Sequence, residues 1–189
     1  MFADLLVQRI SSFGELTSLQ INQLDEHFHL LNRWNKVLNL TAIRDEAEIV
    51  ERHYGESLFL AKYLPPGPLS IADLGSGAGF PGIPVAIQRP ECSVALIEAH
   101  QRKSVFLMEA TRGLANARVV AKRVEQLAET FEWVISRGVN CIEIGETLRK
   151  LAGNLALLAG DQNPTPDFTW NKIKLPWGSH RFLWIHRST

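Results

Sequence analysis

Between Ser70 and Ile87 the chain reads SIADLGSGAGFPGIPVAI: an apolar run meets an aspartate, then breaks into four glycines, Gly75, Gly77, Gly79 and Gly82, before apolar character returns. No other stretch constrains the fold as strongly. Glycine admits backbone angles closed to other residues, and a loop without side chains lets a ligand lie against bare backbone. The N–H groups that open the following helix point at such a ligand. The segment therefore predicts a strand, a tight loop and a helix, the unit with which α/β folds hold nucleotide-like molecules.

The chain beyond it keeps that alternation. Strands are predicted at Leu69–Leu74, Ser93–Ala99, Ala117–Lys122, Glu132–Arg137 and in NLALLAG (Asn154–Gly160). Helices are predicted in PGIPVAIQR, QRKSVFLMEATRGL and RVEQLAE, and from about Cys141 to Leu151. Strict alternation specifies a mostly parallel α/β sheet with helices on both faces. The tail departs from it. FTWNKIKLP and RFLWIHR alternate with a period of two around WGSH, the pattern of an antiparallel hairpin. A parallel sheet closed by an antiparallel C-terminal hairpin is the Rossmann-like arrangement of class I methyltransferases. A dinucleotide-binding Rossmann domain more often stays parallel to its end.

Ahead of the sheet the first forty residues are helical in pattern. Leu16, Leu19, Leu24, Phe28, Leu31, Trp34 and Leu38 recur as one buried helix face would, with Thr17 or Ser18 as cap. A second helical pattern runs from an Asp45 cap toward Leu64, and PPGP, Pro65–Pro68, ends it. Residues 1–64 are expected to form a helical segment packed on a core domain of residues 65–189. With 189 residues, 46% of them hydrophobic, the chain can bury one substantial core. Its 20 basic and 20 acidic residues cancel, so a polyanion has to be met by a local patch. Cys92 and Cys141 lie far apart without metal-binding spacing and read as buried reduced thiols, so no metal site is expected. The N-terminus lacks a signal-peptide pattern, and no apolar run approaches the roughly 20 residues that span a bilayer. A cytoplasmic protein without membrane contact is expected.

Two cofactor templates fit the loop. Gly77-Ala-Gly79-Phe-Pro-Gly82 matches the GxGxxG of dinucleotide sites. Asp73-Leu-Gly75-Ser-Gly77-Ala-Gly79 matches the acidic-x-GxGxG of S-adenosylmethionine sites. Asp73 discriminates between them. A carboxylate there can pair with a cationic part of the ligand or order the loop. Beside the pyrophosphate of NAD it would be unfavourable, whereas S-adenosylmethionine brings an α-ammonium and a sulfonium. Glu98, roughly 20 residues past the loop, can accept hydrogen bonds from both ribose hydroxyls of either cofactor. Its alternative is a cap on the helix before Gln101.

The phrases LNLTAIRD, RHYGESL, ADLGSGAGFPGIPVAI, QRKSVFL, RVEQL and ISRG follow one another between about Trp34 and Gly138. In that order they resemble the RsmG (GidB) family, bacterial methyltransferases that modify guanine N7 in 16S ribosomal RNA with S-adenosylmethionine. The resemblance implies that Gly75 and Phe80 line the cofactor, that Val124 and Glu125 contact its adenine end, and that Arg137 is a cofactor-site arginine at a strand exit. With Asp73, Gly77, Gly79 and Glu98 these make the expected cofactor-binding set. It also implies 16S rRNA or the small ribosomal subunit as partner, and a monomer is expected to meet it. Guanine N7 carries a lone pair and no proton, so aligning donor and acceptor suffices and no catalytic base is expected. Arg52, His53, Arg102, Lys103 and Arg123 are the expected RNA contacts, with Lys122 beside them and Arg44 as a surface charge.

Three positions depart from the family pattern: Glu56-Ser57 where Asp-Ser is frequent, Ala159 where a lysine is usual, and SRGVN in place of SRA followed by small residues. Losing the lysine removes a cation from the rim and leaves open a non-catalytic RNA-binding protein on the same fold. The other alternative is an NAD(P)-dependent oxidoreductase built on GxGxxG. No catalytic Tyr-Lys or His constellation accompanies that motif, and Tyr54 and Tyr63 are the only tyrosines.

Overall fold

The computed structural model describes residues 1–188. Its N-terminal part holds two helices, the second starting at the cap the sequence offered. α1 (Phe2–Ile10) buries Phe2, Leu6 and Ile10 on one stripe. α2 (Ser18–Leu38) starts at a capping box, in which Thr17 and Gln20 satisfy each other's backbone N–H groups. Its Leu24, Phe28, Leu31 and Leu38 turn inward, and the helix ends at Asn39 in the left-handed conformation, φ 37°. The helical pattern predicted from Asp45 is interrupted. α3 (Glu46–Ile49), capped by Asp45, passes through a π-helical stretch at Val50–Gly55 into α4 (Glu56–Tyr63). The wider π turn sends His53, Tyr54 and Gly55 inward together. A Cβ on Gly55 would come within 2.9 Å of the Trp177 ring, so that glycine lets the C-terminal hairpin dock there.

Five strands run parallel: β1 (Ser70–Leu74), β2 (Ser93–Ile97), β3 (Ala117–Val120), β4 (Phe131–Arg137) and β5 (Ala152–Ala159). The hairpin of β6 (Asn171–Lys174) and β7 (Phe182–His186) joins them through β7, antiparallel to both β5 and β6. The sheet order is β3-β2-β1-β4-β5-β7-β6. β7 thus sits inside the sheet, with Phe182 opposite Ala159, and begins where the parallel strands end.

Strands and helices alternate as predicted, with α5 (Gly82–Gln88), α6 (Gln101–Ala110) and α7 (Gly145–Leu151) as the connecting helices. The predicted strands at Ser93–Ala99 and Ala117–Lys122 stop at Ile97 and Val120, because the residues beyond them curl over the sheet end. Both Glu98 and Lys122 give their N–H groups to the Val120 carbonyl. RVEQLAE contributes only a 3-10 turn, Val124–Gln126.

Both faces of the sheet are buried, as near-continuous apolar parallel strands require. On one face Ile71, Val94, Leu96 and Ile135 share a core with Phe2, Leu24, Phe28 and Leu31 of the N-terminal helices. On the other, Ala72, Val134, Leu155 and Trp184 pack with Leu148 and Leu151 of α7. Among the described residues no helix is long and apolar enough to cross a membrane.

Candidate functional site

Strand order reverses between β1 and β4, and open α/β sheets keep their ligands at the carboxyl ends of strands at such a point. The glycine loop leaves β1 there. Gly75 has φ 66°, and a Cβ on it would stand 2.7 Å from Val139 Cγ2, so both conformation and space demand glycine. Gly82 opens α5 so close to the sheet that a Cβ would strike Leu96 and come within 2.9 Å of Asp73 Cβ.

Asp73 lies wholly beneath the loop. Its Oδ2 accepts the Gly82 N–H at 2.9 Å, its carbonyl accepts the Ser76 hydroxyl, and Oδ1 is buried without a partner. Burial pushes its carboxyl up to about 7, against the opposing pull of the Gly82 N–H. Of the two roles the sequence offered this carboxylate, the one visible in the structure is ordering the loop. Phe80 is likewise enclosed, 2% exposed, stacked on His53 at 4.7 Å and edge-on to Tyr54 and His27. Gly79 is also buried, near His27.

A cleft of about 200 Å³ opens over the ends of β1, β2 and β3, lined by Gly75, Glu98, Lys122, Arg123, Val124, Glu125 and Val139 among others. Glu98 is its central polar group. Its Oε2 accepts the Gly77 N–H at 2.9 Å and its Oε1 the His100 N–H at 2.8 Å. A carboxylate has about four acceptor sites, so these two bonds leave capacity for two more. The capping alternative is not met: the N-cap of α6 is His100, and no side chain accepts from the helix's first turn.

A larger cavity, about 570 Å³, adjoins it across Val139, which lines both. Its walls come from the π stretch (Arg52, His53), the exits of β4 and β5 (Ser136 to Cys141, Leu157 to Gly160) and Arg181. Arg137 belongs to this cavity; it is not among the residues lining the cleft. Its Nη1 donates to the Arg52 carbonyl and to His53 Nδ1, both at 2.6 Å, and its guanidinium lies 5.3 Å from the Phe80 ring centre. A guanidinium can only donate, so the His53 ring proton is on Nε2, which donates to Thr41 Oγ1 at 2.7 Å. Burial, helped by the Arg137 charge, pushes His53 down to about 2. The ring is neutral at physiological pH, with both nitrogens engaged.

Of the other expected RNA contacts, Arg52 lines the larger cavity and Arg123 the cleft. Arg102 and Lys103 occupy the first turn of α6 and line neither. Arg44 is exposed in the loop before α3.

Sequence reasoning missed Arg181, which meets Glu56 in a two-pronged pair at 2.9 and 2.7 Å, with Glu56 only 1% exposed. A signal for it existed. A strand antiparallel to its neighbours begins at the rim where they end, so the first basic residue of RFLWIHR was placed to reach the site.

Relatives and solved structures fit this geometry. A family model described as rRNA small subunit methyltransferase G matches residues 20–165. The ribosomal RNA small subunit methyltransferase G of Xanthomonas axonopodis pv. citri is 43% identical over 139 residues, 69% of this chain and 65% of that protein. The protein of the same name from Xylella fastidiosa is 41% identical over 154 residues, 77% of this chain and 72% of its own. The match thus spans just under two thirds of the length of the Xanthomonas relative, 65%. Among solved structures, the magnesium protoporphyrin IX methyltransferase of Synechocystis, which holds SAH, superposes with TM-score 0.62 at 16% identity, over 88% of this chain and 99% of that one. A SAM-dependent methyltransferase from Aquifex aeolicus gives 0.61 at 14%, over 82% and 97%. At such identities these two show the fold, that of class I methyltransferases. The matched residues run from the first turn of α2 through the glycine loop to just beyond β5, and they place the chain in the rRNA small subunit methyltransferase G (GidB) family.

Proposed function

We propose that the protein is an S-adenosylmethionine-dependent methyltransferase acting on guanine N7 of 16S rRNA in the small ribosomal subunit. One observation carries this: a cleft built around Glu98 and the glycine loop meets a basic cavity across a single side chain, Val139. The chain's own residues fit the cofactor. Glu98 has acceptor capacity left for ribose hydroxyls, and the cradle at Gly75 is one that a Cβ would fill. Val124 and Glu125 line the same cleft, which supports the reading that they flank the base. Gly77 contributes by fixing Glu98, while Asp73 and Phe80 support the loop from below.

Bound S-adenosylmethionine supplies an electrophilic methyl group. The protein's part is to hold donor and acceptor in line and to keep water out. Guanine N7 has no proton to lose, in keeping with a neutral His53 whose nitrogens are both occupied. The protein is read as a cytoplasmic monomer. Ala159, in the cavity wall at the position where the family resemblance implies a lysine, is the observation that favours the non-catalytic alternative.

The test is to map N7-methylguanine in 16S rRNA from cells with and without this protein, alongside calorimetry with S-adenosylmethionine and with NAD. Methylation that depends on the protein supports the reading. Binding of 30S particles without methyl transfer would move it to the non-catalytic alternative, and preference for NAD to the oxidoreductase.

A further inference from the structure

The inward stripe of α2, Leu24, Phe28, Leu31 and Leu38, is broken by two buried polar residues, His27 and Asn35. Asn35 has a local use. Its amide accepts the Thr41 N–H and donates to the Thr41 carbonyl, which secures the chain as it leaves the helix. His27 has none. It is 3% exposed among the rings of Tyr54, Phe80 and Phe106, where an apolar side chain would pack without needing a partner. An imidazole there is unfavourable unless both nitrogens are bonded. Nδ1 lies 2.8 Å from the Tyr54 hydroxyl, and Nε2 lies 3.2 Å from the Ala78 carbonyl in the glycine loop. A carbonyl only accepts, so the ring proton is on Nε2 and Tyr54 donates to Nδ1. Burial holds the ring down to about 4, so this form persists at physiological pH.

Ala78 stands between Gly77 and Gly79, both at positive φ, 55° and 86°. Such a stretch has few side chains with which to hold its own shape. Glu98 grips it from the end of β2 through the Gly77 N–H. His27 grips it from α2, and among the described residues the Ala78 carbonyl has no other partner. We infer that His27 is a positioning residue for the cofactor: its Nε2–H fixes the peptide plane between Ala78 and Gly79, and Tyr54 fixes the tautomer that does so. The loop then meets its ligand already ordered, which lowers the cost of binding. The glycine motif alone carries no sign of this, because the donor comes from a helix 51 residues earlier. That the loop serves S-adenosylmethionine rests on the function proposed above; that His27 shapes the loop does not.

The experiment compares two substitutions in the whole chain. The amide of His27→Gln can take the place of Nε2 and keep the bond to Ala78. That of His27→Asn reaches only the place of Nδ1 and keeps the bond to Tyr54. Each leaves one buried group unpaired, so both should lower the melting temperature by similar amounts. Calorimetry with S-adenosylhomocysteine should separate them, with binding about tenfold weaker for His27→Asn and within about threefold of the unsubstituted chain for His27→Gln. Tyr54→Phe removes a single oxygen and should weaken binding about threefold, which provides the reading if His27→Asn does not fold. Amide exchange at Gly77 and Gly79, followed by NMR on the ligand-free chain, should be faster in His27→Asn than in His27→Gln. Affinity that follows melting temperature alike in both histidine variants, or that none of the three substitutions lowers, would overturn the assignment and leave His27 a core residue. The expected exchange difference in a chain that binds no S-adenosylhomocysteine would uphold His27 and sink the cofactor reading.

Discussion

In the cleft over β1 and β2, geometry is fixed by backbone N–H groups of Gly77, Gly82 and His100 donating to two carboxylates, across separations of 21, 9 and 2 residues. In the adjoining cavity it is fixed by side chains, with Arg137 reaching His53 across 84 residues and Arg181 reaching Glu56 across 125. One half is therefore local and tolerates few residues per position. The other is assembled by tertiary structure and holds together through charge and hydrogen-bond partners. Mutation and pH should separate the two halves.

The largest effect is expected on the assembled side. Glu56→Ala leaves Arg181 without its partner against the core, and breaking a buried pair in this way costs about 3–5 kcal/mol. The melting temperature should fall by about 10 °C. A loss below about 1 kcal/mol would mean that the hairpin is held by Trp177 packing instead.

On the local side, Gly82→Ala drives a methyl into Leu96 and Asp73, and should cost about 2–3 kcal/mol with loss of cofactor affinity. Thermal unfolding and calorimetry with S-adenosylhomocysteine would read both. A stable variant that still binds would show that the loop can give way, contrary to the description above.

The smallest effect is a slope with pH. Burial holds His27 down to about 4 and His53 to about 2, so between about pH 4.5 and 6.5 both are neutral when folded and protonate on unfolding. Their contribution is present above about pH 6.5 and is lost as pH falls. Asp73, raised to about 7, acts in the opposite sense, and its contribution is lost as pH rises toward that value. The unfolded chain gains two protons through the histidines and is one poorer through Asp73. Stability should therefore rise by about 1.4 kcal/mol per pH unit across this window. Asp73→Asn removes the opposing group and should steepen the slope toward about 2.7 kcal/mol per unit. Denaturant titrations at about pH 4.5, 5.5 and 6.5 would measure it, and an unchanged slope in the variant would contradict the buried, proton-holding Asp73.

The same division explains what could be read from the chain. Glu98 and the glycines were legible because strand, loop and carboxylate follow one another within about 25 residues, and sterics alone dictates glycine at Gly75 and Gly82. The expectation that Phe80 and Arg137 belong to the cofactor came from resemblance, and the structure sets both toward His53. Periodicity could not show this, because a π turn shifts the inward face by a residue that a 3.6-residue repeat does not count. Arg181 stayed hidden because its partner lies 125 residues away and the phrases that carry the resemblance end at Gly138.

The placement of β7 between β5 and β6 has a consequence for how the molecule comes into being. During synthesis the first five strands and the glycine loop emerge and can pair with short-range partners. The sheet closes only when residues up to His186 have left the ribosome and their strand threads into its slot. Long-range pairing of this kind is slow compared with local structure. The cleft can therefore form on a growing chain, while the arginine-lined cavity is completed last.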